Sequence, residues 1–374
     1  MCAVREPPRS RPLVPHQHPH GPLSIEWDAP IVHFRSYAVS GMMSLCDAEG
    51  RERESNDGNI MVDRDLYQYR ESIMATQLTD IIESSQAERV ATGFVFTEGP
   101  VWHPEGYWLF VDVRVSLIYR LAPGGQPEIF REQSGGSNGM TFDLRGRLLI
   151  CEGDNRQVTR REPDGTYTPL AQRLGSKRIN RPNDIVTRSD GSIYFTDPGG
   201  RLPQEARELS FNGVHRIAPD GTLSSATADT EYPNGLAFSP DERILYVAIT
   251  RRDDGCIEEK ARGEVCTHQC IRAFDVAADG TLSNNRIFAT LASAADGVPD
   301  GMKVDVEGRV YCTGPEGCWV FDASGNHLGI IRLPEIPANC AWGGPDHRTM
   351  LFTARTSVYT LRMKTPGTRI PRAA

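Results

Sequence analysis

Glu98, Asn138, Asn183, Asn234, Asp300 and Asn339 follow one another at spacings of 40, 45, 51, 66 and 39 residues, each at the same point of a repeated phrase. The phrases read FTEGPVWHPEGYWLFVD, SNGMTFDLRGRLLICEG, RPNDIVTRSDGSIYFTD, YPNGLAFSPDERILYVA, VPDGMKVDVEGRVYCTG and PANCAWGGPDHRTMLFTA. In each, an oxygen-bearing side chain precedes a short apolar strand, a turn and a second apolar strand. If these markers face one channel, Glu98 and Asp300 bring two carboxylates, and Asn183 and Asn234 bring two amide oxygens. Such hard oxygen donors suit calcium or another hard divalent ion and suit copper poorly. Two negative charges would leave the ion mostly neutralised yet still able to polarise a carbonyl. No two of the four lie within ten positions of each other, so only a closed ring can assemble them. Asn138 reads as a substrate contact and Asn339 as a residue that closes the last unit. Arg156 and Arg181 are candidates for holding a polyhydroxylated or anionic substrate at the channel mouth.

Plainer readings compete. Asn138-Gly139, Asn234-Gly235 and Asp300-Gly301 are also ordinary turn signals whose side chains can cap their own backbone. Glu98, before Gly-Pro, is not a favoured turn former. Asp184 reads either as support for the ligands or as a polar turn residue. Asp112 is expected to satisfy strand-end amides, while Asp197 is open between that role and lining the channel near Asn183. His215, His268 and His347 have no recognisable partners and read as surface or interblade residues. The chain carries no HExxH, GxSxG or P-loop signature and no convincing GxGxxG.

The elements that must position the markers follow from the period. A repeat of this length is an all-β unit that cannot bury its own apolar face and must lean on its neighbours. From Val90 to the chain end, about 285 residues divide into six parts of roughly 47, the size of a four-stranded propeller blade. The expectation is therefore an all-β, six-bladed β-propeller over residues 90–374. Runs such as Tyr107–Val111, Ile193–Phe195 and Leu245–Ile249 read as inner strands buried on both faces. Turns are expected at Asp164-Gly165, Asp190-Gly191, Asp220-Gly221 and Asp279-Gly280. A β-sandwich would give no reason for six equivalent markers. Residues 1–60, rich in Pro, His, Arg and charge, read as a disordered extension. Residues 61–89 read as a short lead-in with helical turns.

Composition narrows the partners. Charged residues make up 24% of the 374, the net charge is -8, and no Lys/Arg run suits a phosphate backbone. No nucleic acid is expected, and a small or neutral substrate fits better. No segment approaches 18 continuous apolar residues and the N-terminus lacks a signal-peptide core, so neither a membrane nor secretion is expected. The expected setting is cytoplasmic, as a monomer or homodimer. Of nine cysteines, Cys151, Cys312 and Cys340 sit in strand-like runs as small buried hydrophobes. Cys256, Cys266 and Cys270, with His268, leave a structural zinc or a local disulfide open.

With TEGPVWHPEG, NGMTFDLRGRLLICEG, RPNDIVTRSDGSIYFTDP, PNGLAFSPDE and VPDGMKVDVEGRVY in this order, the chain resembles the SMP-30/gluconolactonase/regucalcin family, above all its bacterial gluconolactonase-like branch. The resemblance spans about Asp63 to Met363. It implies a six-bladed propeller with one catalytic divalent cation, commonly calcium, at the top of the channel. It places Glu98, Asn234 and Asp300 on the family's metal ligands and Asn183 on an asparagine that binds metal or substrate. It makes Asp300 the general base as well. Where bacterial relatives often read CEHG, this chain has Cys151-Glu152-Gly153-Asp154 and lacks the imidazole.

The expected chemistry is metal-assisted hydrolysis of a small lactone, an aldonolactone such as gluconolactone first. Calcium is the first choice of cation, with zinc, manganese or magnesium as alternatives. One rival keeps the metal but takes an aromatic lactone or an organophosphate against Trp102, Trp108 or Phe142. Another is a non-catalytic, metal-binding propeller scaffold.

Overall fold

The computed structural model describes residues 77–200, 202–250, 262 and 269–372. The expected extension over 1–60, the first part of the lead-in, and Cys256, Cys266 and His268 lie outside the described residues. Within the lead-in, Leu78–Ile81 forms one helical turn, with Asp80 accepting from the Gln77 N–H at 3.0 Å.

Six four-stranded antiparallel sheets follow, over 97–131, 137–171, 185–227, 233–290, 302–332 and 339–362. Each of the first five is a meander whose strands pair in sequence order. The sixth takes three strands from the chain end and its outermost, Glu88–Thr92, from the start, paired with Ser357–Arg362. Each innermost strand touches those of its two neighbours, and the last, Asn339–Gly343, touches the first, Thr97–His103. The chain is a six-bladed β-propeller.

The packing shows why the blades must form a ring. The buried apolar side chains described fall into six clusters, and every cluster draws on two adjacent blades. Leu109, Val111, Met140 and Ile150 fill the seam between blades 1 and 2. Trp108 and Phe110 meet Ala341, Leu351 and Val358 where blade 6 closes onto blade 1. Second strands are buried on both faces, as their unbroken apolar runs require: Tyr107–Asp112 and Ile193–Asp197 are buried throughout. Asp190, Asp220 and Asp279 each accept the N–H two residues on, which sets the turn before the following strand. Cys151, Cys312 and Cys340 are buried free thiols, and so is Cys270.

Gly139, Gly235 and Gly301 sit one residue past a marker without the positive φ of a turn. They are there for close approach. A Cβ on Gly235 would lie 2.3 Å from the Asp300 carbonyl oxygen, and one on Gly301 would lie 2.0 Å from the Asn339 amide. This closeness allows Gly139 N–H to donate to Asn183 O (2.7 Å), Gly235 N–H to Asp300 O (2.9 Å) and Gly301 N–H to Ala338 O (2.8 Å). The turn reading of Asn138-Gly139, Asn234-Gly235 and Asp300-Gly301 thus gives way to hydrogen bonds between blades.

Gly301→Ala should therefore push blade 5 from blade 6, and thermal melting should show Tm lowered by roughly 3–10 °C. An unchanged Tm would show that the approach is not needed.

Candidate active site

All six markers stand at the starts of the inner strands, around one channel. The ring closes through side chains as well. Asn339 of blade 6 donates from Nδ2 to Glu98 Oε2 of blade 1 at 3.0 Å, and its Oδ1 accepts the Cys340 N–H at 2.8 Å. Glu98 Oε2 also accepts the Gly99 N–H at 2.8 Å. Asn339, expected only to close the last blade, therefore also fixes the Glu98 carboxylate.

Glu98 is 3% exposed and forms no ion pair among the described residues. Burial pushes its carboxyl up to about 7, and the nearby Asp184 carboxylate adds to the rise. Asp184 is itself buried and raised by burial, with the Lys303 ammonium opposing. Its Oδ1 accepts the Ile185 N–H at 2.9 Å, while Oδ2 has no hydrogen-bond partner. Asp184 replaces the glycine that follows four other markers, and that departure was its signal in the sequence.

Asn234 donates from Nδ2 to Thr250 Oγ1 at 3.1 Å, which leaves its Oδ1 without a hydrogen bond among the described residues. Thr250 in turn donates to the Pro299 carbonyl, so one buried hydroxyl ties Asn234 to the residue before Asp300. Thr196, Thr313 and Thr353 repeat the theme in blades 3, 5 and 6, and all four threonines are fully buried. Thr196 Oγ1 accepts the Asp184 N–H (3.0 Å), Thr313 Oγ1 donates to Ala338 O (2.7 Å), and Thr353 Oγ1 donates to Asn339 O (3.3 Å). These supports were missed in the sequence, although a threonine at the end of the second apolar strand recurs in the last four units.

Asn138 and Asn183 stand in the ring with side-chain oxygens that accept no hydrogen bond among the described residues. Asn138 Oδ1 is buried without a partner, and the Asn183 side chain makes no hydrogen bond among the described residues. Asp300 is anchored through its main chain, donating to Thr313 O at 3.0 Å and accepting from Gly235. Among the described residues, no three His, Cys, Asp or Glu side chains are grouped to hold a metal. The expected ligand set contains only two of that kind, Glu98 and Asp300, and depends on amides for the rest.

The two arginines separate. Arg181 donates from Nη2 to Asp154 Oδ1 at 2.6 Å. Arg156 is held inside the protein: Nε donates to the Ile179 and Asn180 carbonyls at 2.8 and 3.1 Å, and Nη1 to Ala206 O at 3.0 Å. That arrangement braces the segment leading into Arg181 and leaves only Nη2 unsatisfied. Asp112 does cap strand-end amides, accepting from Val95 and Phe96 at 2.7 and 3.0 Å. Asp197 does the same for Asn180 at 2.7 Å, and its Oδ2 lies 3.2 Å from His215 Nε2. Of the two places expected for His215, surface or interblade, the surface is excluded: it is fully buried, with Asp197 as a partner that the sequence reading did not foresee.

A cavity of about 920 Å³ opens at the other end of the channel. Its lining includes Trp102, Phe142, Phe238 and Trp342, which lie three or four residues beyond the markers on the same strands. At about 3.3 Å per residue, these rings lie roughly 10–13 Å past the marker ring. Trp108 is packed in the seam between blades 6 and 1. Trp102, Trp108 and Phe142, expected to line an apolar mouth, therefore do not stand at the marker end.

The model of the SMP-30/gluconolactonase/LRE-like region matches residues 96–356. The gluconolactonase of Zymomonas mobilis is 30% identical over 305 residues, covering 76% of this chain and 83% of the relative. The pentonolactonase of Haloferax volcanii is 28% identical over 68% of this chain and 80% of its own length. A solved gluconolactonase from Xanthomonas campestris, at 30% identity, superposes with a TM-score of 0.67 over 76% of this chain and 92% of its own. From the ring of markers, the six-bladed architecture and these matches together, the chain belongs to the SMP-30/gluconolactonase/LRE-like family.

Proposed function

We propose that the chain hydrolyses a small lactone at the marker ring, an aldonolactone such as gluconolactone first. One divalent cation, calcium first, would be held by Glu98, Asn183, Asn234 and Asp300. The observation that carries this reading is Glu98: a buried carboxylate fixed by an amide and a main-chain N–H, beside a second buried carboxylate, with no ion pair of its own among the described residues and the Lys303 ammonium opposing its charge only in part. Holding such a charge in a buried site is costly, as the raised Glu98 carboxyl shows, and a bound cation would offset that cost. The donor set fits a hard ion, since Asn234 Oδ1 and the Asn183 amide oxygen have no hydrogen-bond partner among the described residues. Relatives named gluconolactonase and pentonolactonase support a lactonase type of hydrolysis.

The protein groups divide the work. Bound in the ring, the cation would polarise the ester carbonyl and offset the charge that grows on its oxygen. Asp300 orients the attacking water and takes its proton. A carboxylate is a weak base, but a lactone is an activated ester. Asn138 and Asn183 hold the ring and its hydroxyls, while Arg181 reaches the substrate at the mouth. Glu98 and Asn234 stay in place through Asn339 and Thr250, so the donors need little reorganisation when the substrate arrives.

Asp300→Asn should keep the fold and lower kcat on gluconolactone by about 10²–10⁴-fold. Near-native turnover with the substitution confirmed by mass would remove Asp300 from the mechanism. Calcium added to chelator-treated protein at about a hundred times its Kd should raise Tm by roughly 5–10 °C, and Glu98→Gln should abolish most of that rise. A calcium-dependent rise with no turnover of any lactone would leave the metal-holding scaffold as the function.

A further inference from the structure

Gly153 stands where the resembling bacterial chains often carry histidine, and its missing side chain is used. A Cβ there would come within 3.2 Å of Arg181 Nη2 and 3.3 Å of its Nε. The glycine lets the guanidinium lie across the end of blade 2 and reach Asp154 Oδ1 at 2.6 Å. Asp154 is seated just as closely: its N–H donates to Gly135 O at 2.9 Å, and a Cβ on Gly136 would lie 2.4 Å from its Oδ2. Gly200 leaves room on the other side, where a Cβ would sit 3.8 Å from Arg181 Cδ and 3.7 Å from the Tyr232 hydroxyl. Gly136, Arg181 and Tyr232 each precede a marker by two residues, about 7 Å along the strand direction. The pair therefore sits one step outside the marker ring, where blades 2, 3 and 4 meet.

Its exposure is uneven. The Asp154 side chain is 61% exposed and that of Arg181 is 20% exposed. A surface ion pair of this kind adds little to stability. It does present an acceptor-only carboxylate beside a donor-only guanidinium, and Arg181 makes no other hydrogen bond among the described residues.

We propose that Asp154, paired with Arg181, selects the substrate at the channel mouth by binding two adjacent hydroxyls of a neutral polyhydroxylated lactone and turning away lactones that carry a carboxylate. One hydroxyl donates to Asp154 and its neighbour accepts from Arg181, so the pair matches a vicinal diol. A substrate carboxylate would compete with Asp154 for Arg181 and meet its negative charge, which supplies discrimination by repulsion as well as attraction. This inference rests on the lactonase reading and names the class of lactone that the site takes.

The test compares the native protein with Asp154→Ala and Asp154→Asn, both checked by thermal melting, in calcium. The substrates are D-glucono-1,5-lactone, D-glucaro-1,4-lactone (which bears a carboxylate) and dihydrocoumarin, which has no hydroxyls to bind. Losing a hydrogen bond to a charged group should raise KM for gluconolactone about tenfold, with kcat within about twofold. Dihydrocoumarin kinetics should stay unchanged, and the preference for the glucarolactone over gluconolactone should rise by about tenfold or more. An unchanged KM, or equal losses on all three substrates, overturns the selection role while leaving the lactonase reading standing. A native protein that hydrolyses none of the three overturns both.

Discussion

The main-chain hydrogen bonds between the start of one inner strand and the next are the constraint on which the rest of the structure depends. The donor is the N–H of the residue after a marker, and the acceptor is a carbonyl at or beside the next marker. Such a bond forms only where that residue has no side chain in the way, so its geometry sets the blade spacing at the channel. Once the spacing is fixed at several seams, the markers share one height and one channel. The apolar seams supply the energy of association, because each blade buries its faces only against its neighbours. Blade 6 takes its outermost strand from the other end of the chain, which ties the first and last parts of the ring together.

That rigidity has an electrostatic cost. The ring holds Glu98 and Asp184 in the dry interior near one another, and Lys303 is the cation that opposes them. A flexible site would swing such groups to water. Here the Asn339 amide, the buried threonine hydroxyls and the interblade bonds hold the backbone and side chains in place. If a cation binds there as proposed, a site held in this way needs little reorganisation to receive it.

Much of this was legible in the sequence, for identifiable reasons. The six markers, their period and the turn residues between strands are local signals, and they lead directly to the architecture and the ring. Asp112 could be assigned to strand-end amides because it ends an apolar strand. What escaped notice depended on partners distant in sequence. Asn339 looked like a closing residue because Glu98 lies 241 positions away. His215 looked partnerless because its carboxylate, Asp197, is on the neighbouring strand and both are enclosed. Arg156 looked like a substrate contact because sequence cannot show three main-chain carbonyls converging on one guanidinium. Trp102 and Phe142 lie away from the marker end because each strand runs on through the ring, four residues past Glu98 and Asn138.

The most direct measurement is a crystal structure of the protein grown with calcium, with the ion identified by its anomalous signal. The account predicts a single ion inside the channel, within about 2.3–2.6 Å of oxygens from Glu98, Asn183, Asn234 and Asp300. An ion bound elsewhere, or a channel holding only water in excess calcium, would contradict it.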